Sequence, residues 1–149
     1  MDANMMHSTR IVPFVLAVTL ALVGCGKKSE GTQAPAALDP ADGPADIVIP
    51  EIAASTDIEA GQKLFASKGC SACHKVGGGK LVGPDLQGVT ARRKPKWIAR
   101  MILHPDQMIQ KDETARGLLK VHMTAMPVQN VDAAAELPAL FAFLKSHEQ

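Results

Sequence analysis

Cys70-Ser71-Ala72-Cys73-His74 is the stretch on which the reading of this 149-residue chain turns. Two thiols separated by two residues lie one helical turn apart, and the next residue adds an imidazole. Three chemistries use such a pair. A thioredoxin-like dithiol belongs among alternating strands and helices, but no segment here alternates at strand period over a useful length. A zinc site needs further Cys or His ligands at short spacing, and no cysteine remains nearby. The third chemistry is c-type haem attachment, in which the two thiols reach the vinyl groups along one porphyrin edge and the imidazole projects under the iron. The motif therefore predicts one covalent haem c on Cys70 and Cys73, with His74 as iron ligand. Three cysteines cannot all pair with one another, so a disulfide framework is a poor reading.

Outward from the motif, the periodicity is helical. Thr56 and Glu59 read as a T-x-x-E capping box ahead of Ile58, Gly61, Leu64 and Phe65, and Gly69 ends that helix. Pro95 suits the first turn of a second helix, with Trp97, Ile98, Met101 and Ile102 as its apolar face, and Pro105 ends or kinks it. The last helix carries Leu137, Leu140, Phe141 and Leu144 and runs toward Ser146; Pro138 places its regular part after Glu136. Gly77-Gly78-Gly79-Lys80 lacks the spacing, the preceding strand and the Ser/Thr of a phosphate loop, and reads as a plain loop. The fold class is small and all-α. Aromatic residues make up only 3% of the chain, and a bulky cofactor would supply the core that they do not.

The N-terminus reads as an address. Ile11 to Leu22 is an apolar run behind Arg10, too short to span a bilayer comfortably but suited to an export signal. Asp2 is out of place in such a signal, and a start at Met5 or Met6 would remove it. Leu22-Val23-Gly24-Cys25 resembles the bacterial lipobox, which implies lipidation of Cys25; a plain cleaved signal or an anchor helix is the alternative. Residues 1–24 are then a lipoprotein signal peptide, and 25–55 a flexible tether rich in Ala, Pro and Asp. About thirty flexible residues have an r.m.s. reach on the order of 30 Å. Ile47-Val48-Ile49 is the exception in that segment, an apolar triplet able to dock on the domain at 56–149.

From about residue 57 to 147 the sequence resembles the class I cytochromes c. The resemblance rests on the haem motif, on Gly61 and Phe65, on Leu140, Phe143 and Leu144, and on Gly83-Pro84-Asp85-Leu86. It implies about three to five helices wrapped around one covalent haem. It implies that the first and last helices cross closely at Gly61 with Phe143 covering the contact, and that the Pro84 carbonyl accepts the His74 Nδ1–H. Trp97 matches a position near a haem propionate, with plain helix core as the other reading. Met126, before Pro127 and one loop ahead of the last helix, matches the family's second iron ligand; Met123 and His122 stay open as alternatives. Met101 and Met108 read as packing, and His104 and His147 as solvated or helix-end residues. The stretch Gln110 to Val121 departs from minimal family members and reads as a surface excursion.

Charge adds little to the class. The whole chain is at +1, which gives no reason to expect nucleic-acid binding. From Asp57 onward nine Lys and four Arg stand against nine acids, a net +4. Arg92, Arg93, Lys94, Lys96 and Arg100 concentrate that charge, either as a solvated face or as a docking site for an acidic redox partner. The expectation is a non-enzymatic electron carrier, lipid-anchored on the periplasmic side of a bacterial membrane. The alternatives are a haem subunit docked in a larger membrane oxidoreductase, or a haem sensor or enzyme with an open axial site.

Overall fold

The computed structural model describes residues 40–149, so the signal segment, Cys25 and the first part of the tether lie outside the described residues. Every regular element among them is helical: a 3-10 turn at Pro40–Asp42, then α1 (Ile58–Ser67), α2 (Cys70–Cys73), α3 (Val89–Arg92), α4 (Pro95–Leu103), α5 (Pro105–Lys111), α6 (Glu113–His122) and α7 (Leu137–Lys145). That is seven helices where about three to five were expected. Two of them, α2 and α3, are single turns of four residues, too short to leave a periodic trace.

α1 is capped one residue later than the T-x-x-E pattern predicts. Asp57 is the N-cap, and its carboxylate accepts from the Ala60 amide at 2.9 Å. Aspartate caps as well as threonine does and adds a negative charge at the positive helix end. Glu59 instead pairs with Lys63 at 2.7 Å, both side chains well exposed, a contact of little energetic weight. Gly69, at φ +77°, stops the helix as expected.

α1 crosses α7 at Gly61. A Cβ there would lie 2.0 Å from the Ala139 carbonyl oxygen and 2.6 Å from Phe143 Cβ, so only glycine allows this approach. Phe65 and Phe143 close over the crossing with ring centroids 5.2 Å apart. Pro138 sits in the first turn of α7, as the sequence suggests, and Leu137, Leu140, Phe143 and Leu144 are buried. Phe141 is only half-buried, so in the apolar stripe Phe143 takes its place.

Pro105 does end α4, but it also opens α5. Beyond it, the expected surface excursion from Gln110 to Val121 is a second helical hairpin arm. Asp112 caps α6 by accepting from the Ala115 amide at 2.8 Å, and Ala115 is buried. The charges read as loop chemistry are a cap and a first-turn acid. Gly117 faces open space, where it costs helix propensity but breaks no packing.

The tether also needs correcting. Residues 40–50 lie on the domain as a strap across α4 and α5. Ile47 is fully buried beside the core, whereas Val48 points outward at 81% exposure. Arg100 donates from Nε to the Ile47 carbonyl at 2.9 Å and from Nη1 to the Asp42 carbonyl at 2.5 Å. Lys111 pairs with Asp46 at 2.6 Å. The strap covers the Trp97 and Arg100 side of α4 while Ile98 faces the interior, so that four consecutive residues of the helix, Trp97 to Arg100, are buried. Sequestering an isoleucine contributes about 1.5–3 kcal/mol, in a chain short of aromatic side chains.

Candidate functional site

The haem motif forms its own element. Gly69, in left-handed geometry, turns the chain out of α1, and Cys70 to Cys73 make one helical turn that ends when His74 becomes extended. Both cysteines are half-buried. Burial pushes the Cys70 thiol above its ordinary value. The His74 Nδ1 lies 2.9 Å from the Pro84 carbonyl oxygen. A carbonyl can only accept, so Nδ1 carries the proton and the Nε2 lone pair is left for a metal.

The loop that supplies Pro84 is tightly fastened. The Gly83 amide donates to the Cys73 carbonyl at 2.7 Å, and the Leu86 amide to that of Lys75 at 2.8 Å. A Cβ at Gly83 would lie 2.6 Å from His74 Cε1, so the glycine makes room for the imidazole. The Asp85 carboxylate accepts from the amides of Gly77, Gly79 and Gln87 at 2.6–2.8 Å. These donors, led by the Gln87 and Gly77 amides, hold its pKa below the usual carboxylate range. The triple-glycine loop is thus an Asp85-centred turn, with all three glycines at positive φ.

Cys70, Cys73, His74, Pro84, Trp97 and Met126 all line one cleft of about 470 Å³, within the size range of cofactor sites. Its other walls are largely apolar and include Phe65, Leu86, Val89, Ile98, Ile102, Leu118, Leu140 and Leu144. Two thiols at one wall, an imidazole with a free lone pair and a thioether in the same apolar cleft fit a covalent haem. Among the described residues no group of three or more His, Cys, Asp or Glu side chains could hold a metal ion by itself.

The alternatives for the second ligand separate by position. Met123 is 84% exposed, stands at the left-handed C-cap of α6 (φ +56°) and does not line the cleft. His122 does line it, with Nδ1 3.3 Å from the Val82 carbonyl oxygen. Met101 lines the cleft from α4 while packing on the core, and Met108 is wholly buried. Trp97 is in the core and on the cleft wall at once, and its indole N–H is given to Asp112 at 3.1 Å. His147 is a helix-end residue, its Nδ1 2.9 Å from the Phe143 carbonyl oxygen.

The basic cluster is not a single face. Arg100 is only 5% exposed and is used up in holding the strap, so it cannot dock a partner. Arg92 reaches the Gln87 and Asp85 carbonyls, and Arg93 lies over the Trp97 ring at 5.3 Å. Both line the cleft, and Lys94 and Lys96 are exposed. Sequence reading missed the roles of Arg100, Asp112 and Lys68, the last of which binds Glu136 and the Asn130 carbonyl. The partners of Arg100 and Lys68 lie more than fifty residues off in the chain, and Asp112, three before Ala115, is a local cap hidden among neighbouring charges.

The sequence model of the cytochrome c family matches residues 58–148. Among solved structures, a cytochrome c from Rhodothermus marinus is similar at 27% identity, with a TM-score of 0.65 over 74% of this chain and 97% of that one. An engineered form of that protein gives a TM-score of 0.63 at 26% identity, over 74% of this chain and 98% of its own. A cytochrome c domain from Pseudomonas putida is 36% identical, with a TM-score of 0.51 over 58% of this chain and 85% of that domain.

Proposed function

This chain belongs to the cytochrome c family, binds covalent haem c and is a haem-based electron-transfer protein, and from that premise we propose that it is a single-haem carrier with Met126 opposite His74, tethered to a bacterial membrane. When bound, the haem supplies a one-electron couple in which no bond is made or broken. The residues of the chain do the rest. Cys70 and Cys73 fix the group covalently, His74 is held in one tautomer by Pro84, and the apolar cleft walls keep water away. A thioether as second ligand fills the coordination sphere and favours the reduced metal. The observation carrying the Met126 assignment is that it lines the His74 cleft while Met123 projects into solvent.

Tethering rests on the lipobox-like Leu22-Val23-Gly24-Cys25 and on the export-signal pattern before it. It puts the carrier on the periplasmic side, where its partners are other redox proteins or the larger oxidoreductase that it serves. Arg92, Arg93, Lys94 and Lys96 are the proposed docking residues, because the two arginines stand on the cleft wall. Spectroscopy tests the ligand. The ferric protein should show the weak far-red charge-transfer band of a methionine–iron bond, and the ferrous protein should bind carbon monoxide poorly. Met126→Ala should abolish the band and open the site, and Met123→Ala should do neither. A wild-type protein that lacks the band and binds carbon monoxide at once would favour a sensor or enzyme. A wild type that lacks it but still refuses carbon monoxide would point to His122.

A further inference from the structure

Trp97 is the one tryptophan of the chain. Its ring walls the cleft and is only 6% exposed, so its indole N–H needs an acceptor inside the protein. Three neighbours fix the ring. The Arg93 guanidinium lies over it at 5.3 Å, and Gly43 of the strap comes so close that a Cβ there would stand 3.2 Å from Trp97 Cδ1. The third is Asp112, whose Oδ1 accepts the indole N–H at 3.1 Å. That same oxygen accepts from the Ala115 amide at 2.8 Å. Asp112 is at once the C-cap of α5 and the N-cap of α6, and Ala115, Leu118 and Leu119 of α6 line the same cleft. One carboxylate oxygen therefore joins a cleft wall from α4 to a cleft wall from α6.

We propose that Asp112 is a positioning residue for the haem surroundings, holding the Trp97 indole in the cleft wall and thereby helping to set the reduction potential. This role rests on the electron-carrier reading above, and not on the choice of Met126. Ferric haem carries one more positive charge than ferrous haem, so a dry and fixed wall favours the reduced form. Without its acceptor, the buried indole N–H has to find water or another group. A wall loosened in this way admits water, stabilises the ferric state and lowers the potential.

Two substitutions in the holoprotein isolate the bond. Asparagine and serine both cap helices as aspartate does, and both remove the same charge. Only asparagine keeps a carbonyl oxygen where Oδ1 stands, whereas the serine hydroxyl is one bond shorter. Asp112→Asn and Asp112→Ser should therefore share haem content and helical circular-dichroism signal. In the ferrous proteins the single indole proton, followed by NMR in D2O, should exchange about tenfold faster in Asp112→Ser than in Asp112→Asn, the scale of one buried hydrogen bond. The reduction potential of Asp112→Ser should lie below that of Asp112→Asn, and in a Trp97→Phe background the two should coincide. Equal exchange rates in the two would overturn the bond, and equal potentials would overturn its role. If Asp112→Ser fails to mature, wild type decides: an indole proton that exchanges as fast as a free indole would overturn the proposal. Carbon monoxide binding at once by ferrous wild type would overturn the carrier reading instead, and the indole proton, which does not depend on the second ligand, would still judge Asp112.

Discussion

Gly61 shows how much one missing methyl group decides. Its Cβ position is occupied by the Ala139 carbonyl, at 2.0 Å, and a backbone oxygen cannot turn aside as a side chain can. Gly61→Ala should force α1 and α7 apart and lower the unfolding free energy of the holoprotein by about 3 kcal/mol. Gly117→Ala, with nothing within 4 Å of its Cβ, should raise it by about 0.5–1 kcal/mol through helix propensity. Denaturant unfolding of the two variants beside wild type checks both signs. Cys70, Cys73 and His74 were legible from the C-x-x-C-H motif itself, and the crossing glycine, its covering Phe143 and Pro84 through the family resemblance. Arg100 was not. Its position four after Lys96 suggests a solvated face, and only the strap, joined to it across more than fifty residues of chain, makes it a buried donor to Ile47 and Asp42.

Among the elements, those long enough to repeat an apolar residue over two turns were readable: α1, α4 and α7 all begin and end close to their predicted limits. α2 and α3 hold four residues each, less than the period needs. α5 and α6 were hidden by a proline that stops one helix while starting another, and by acids that look like loop when they are caps. The Asp85 turn is a loop whose chemistry has a testable pH signature. Its folded pKa lies below the ordinary 3.8, because the Gln87, Gly77 and Gly79 amides donate to the ionised form. The stabilisation is thus complete above pH 3.8 and is lost as pH falls through the lower folded value. Asp85→Asn cannot ionise, so the difference in melting temperature between it and wild type should shrink as pH drops from about 6 toward 2. Asp132 and Glu136 are depressed as well, chiefly by the Ala135 amide and by Lys68; both are present in wild type and variant alike and leave that difference to Asp85. A constant gap across the titration would mean that the turn is held by glycine geometry alone.

At the scale of the whole molecule the prediction concerns the anchor. Cys25→Ser should yield a protein released from the membrane fraction with its haem spectrum intact, and mass spectrometry of the wild-type mature N-terminus should find lipid on Cys25. A free residue upstream of Cys25 would remove the anchor from the account. If the anchor stands, the strap acquires a mechanical meaning. A leash attached at Cys25 and running loose to residue 55 could stretch to about 100 Å at full extension. With the chain seized at Pro40 by Arg100 and Ile47, the longest span from lipid to protein is about 50 Å. Halving the radius cuts the volume the carrier can sweep about eightfold and concentrates it about eightfold beside membrane partners within range. On such an anchor, two hydrogen bonds and one buried isoleucine would set how far from the bilayer an electron can be delivered.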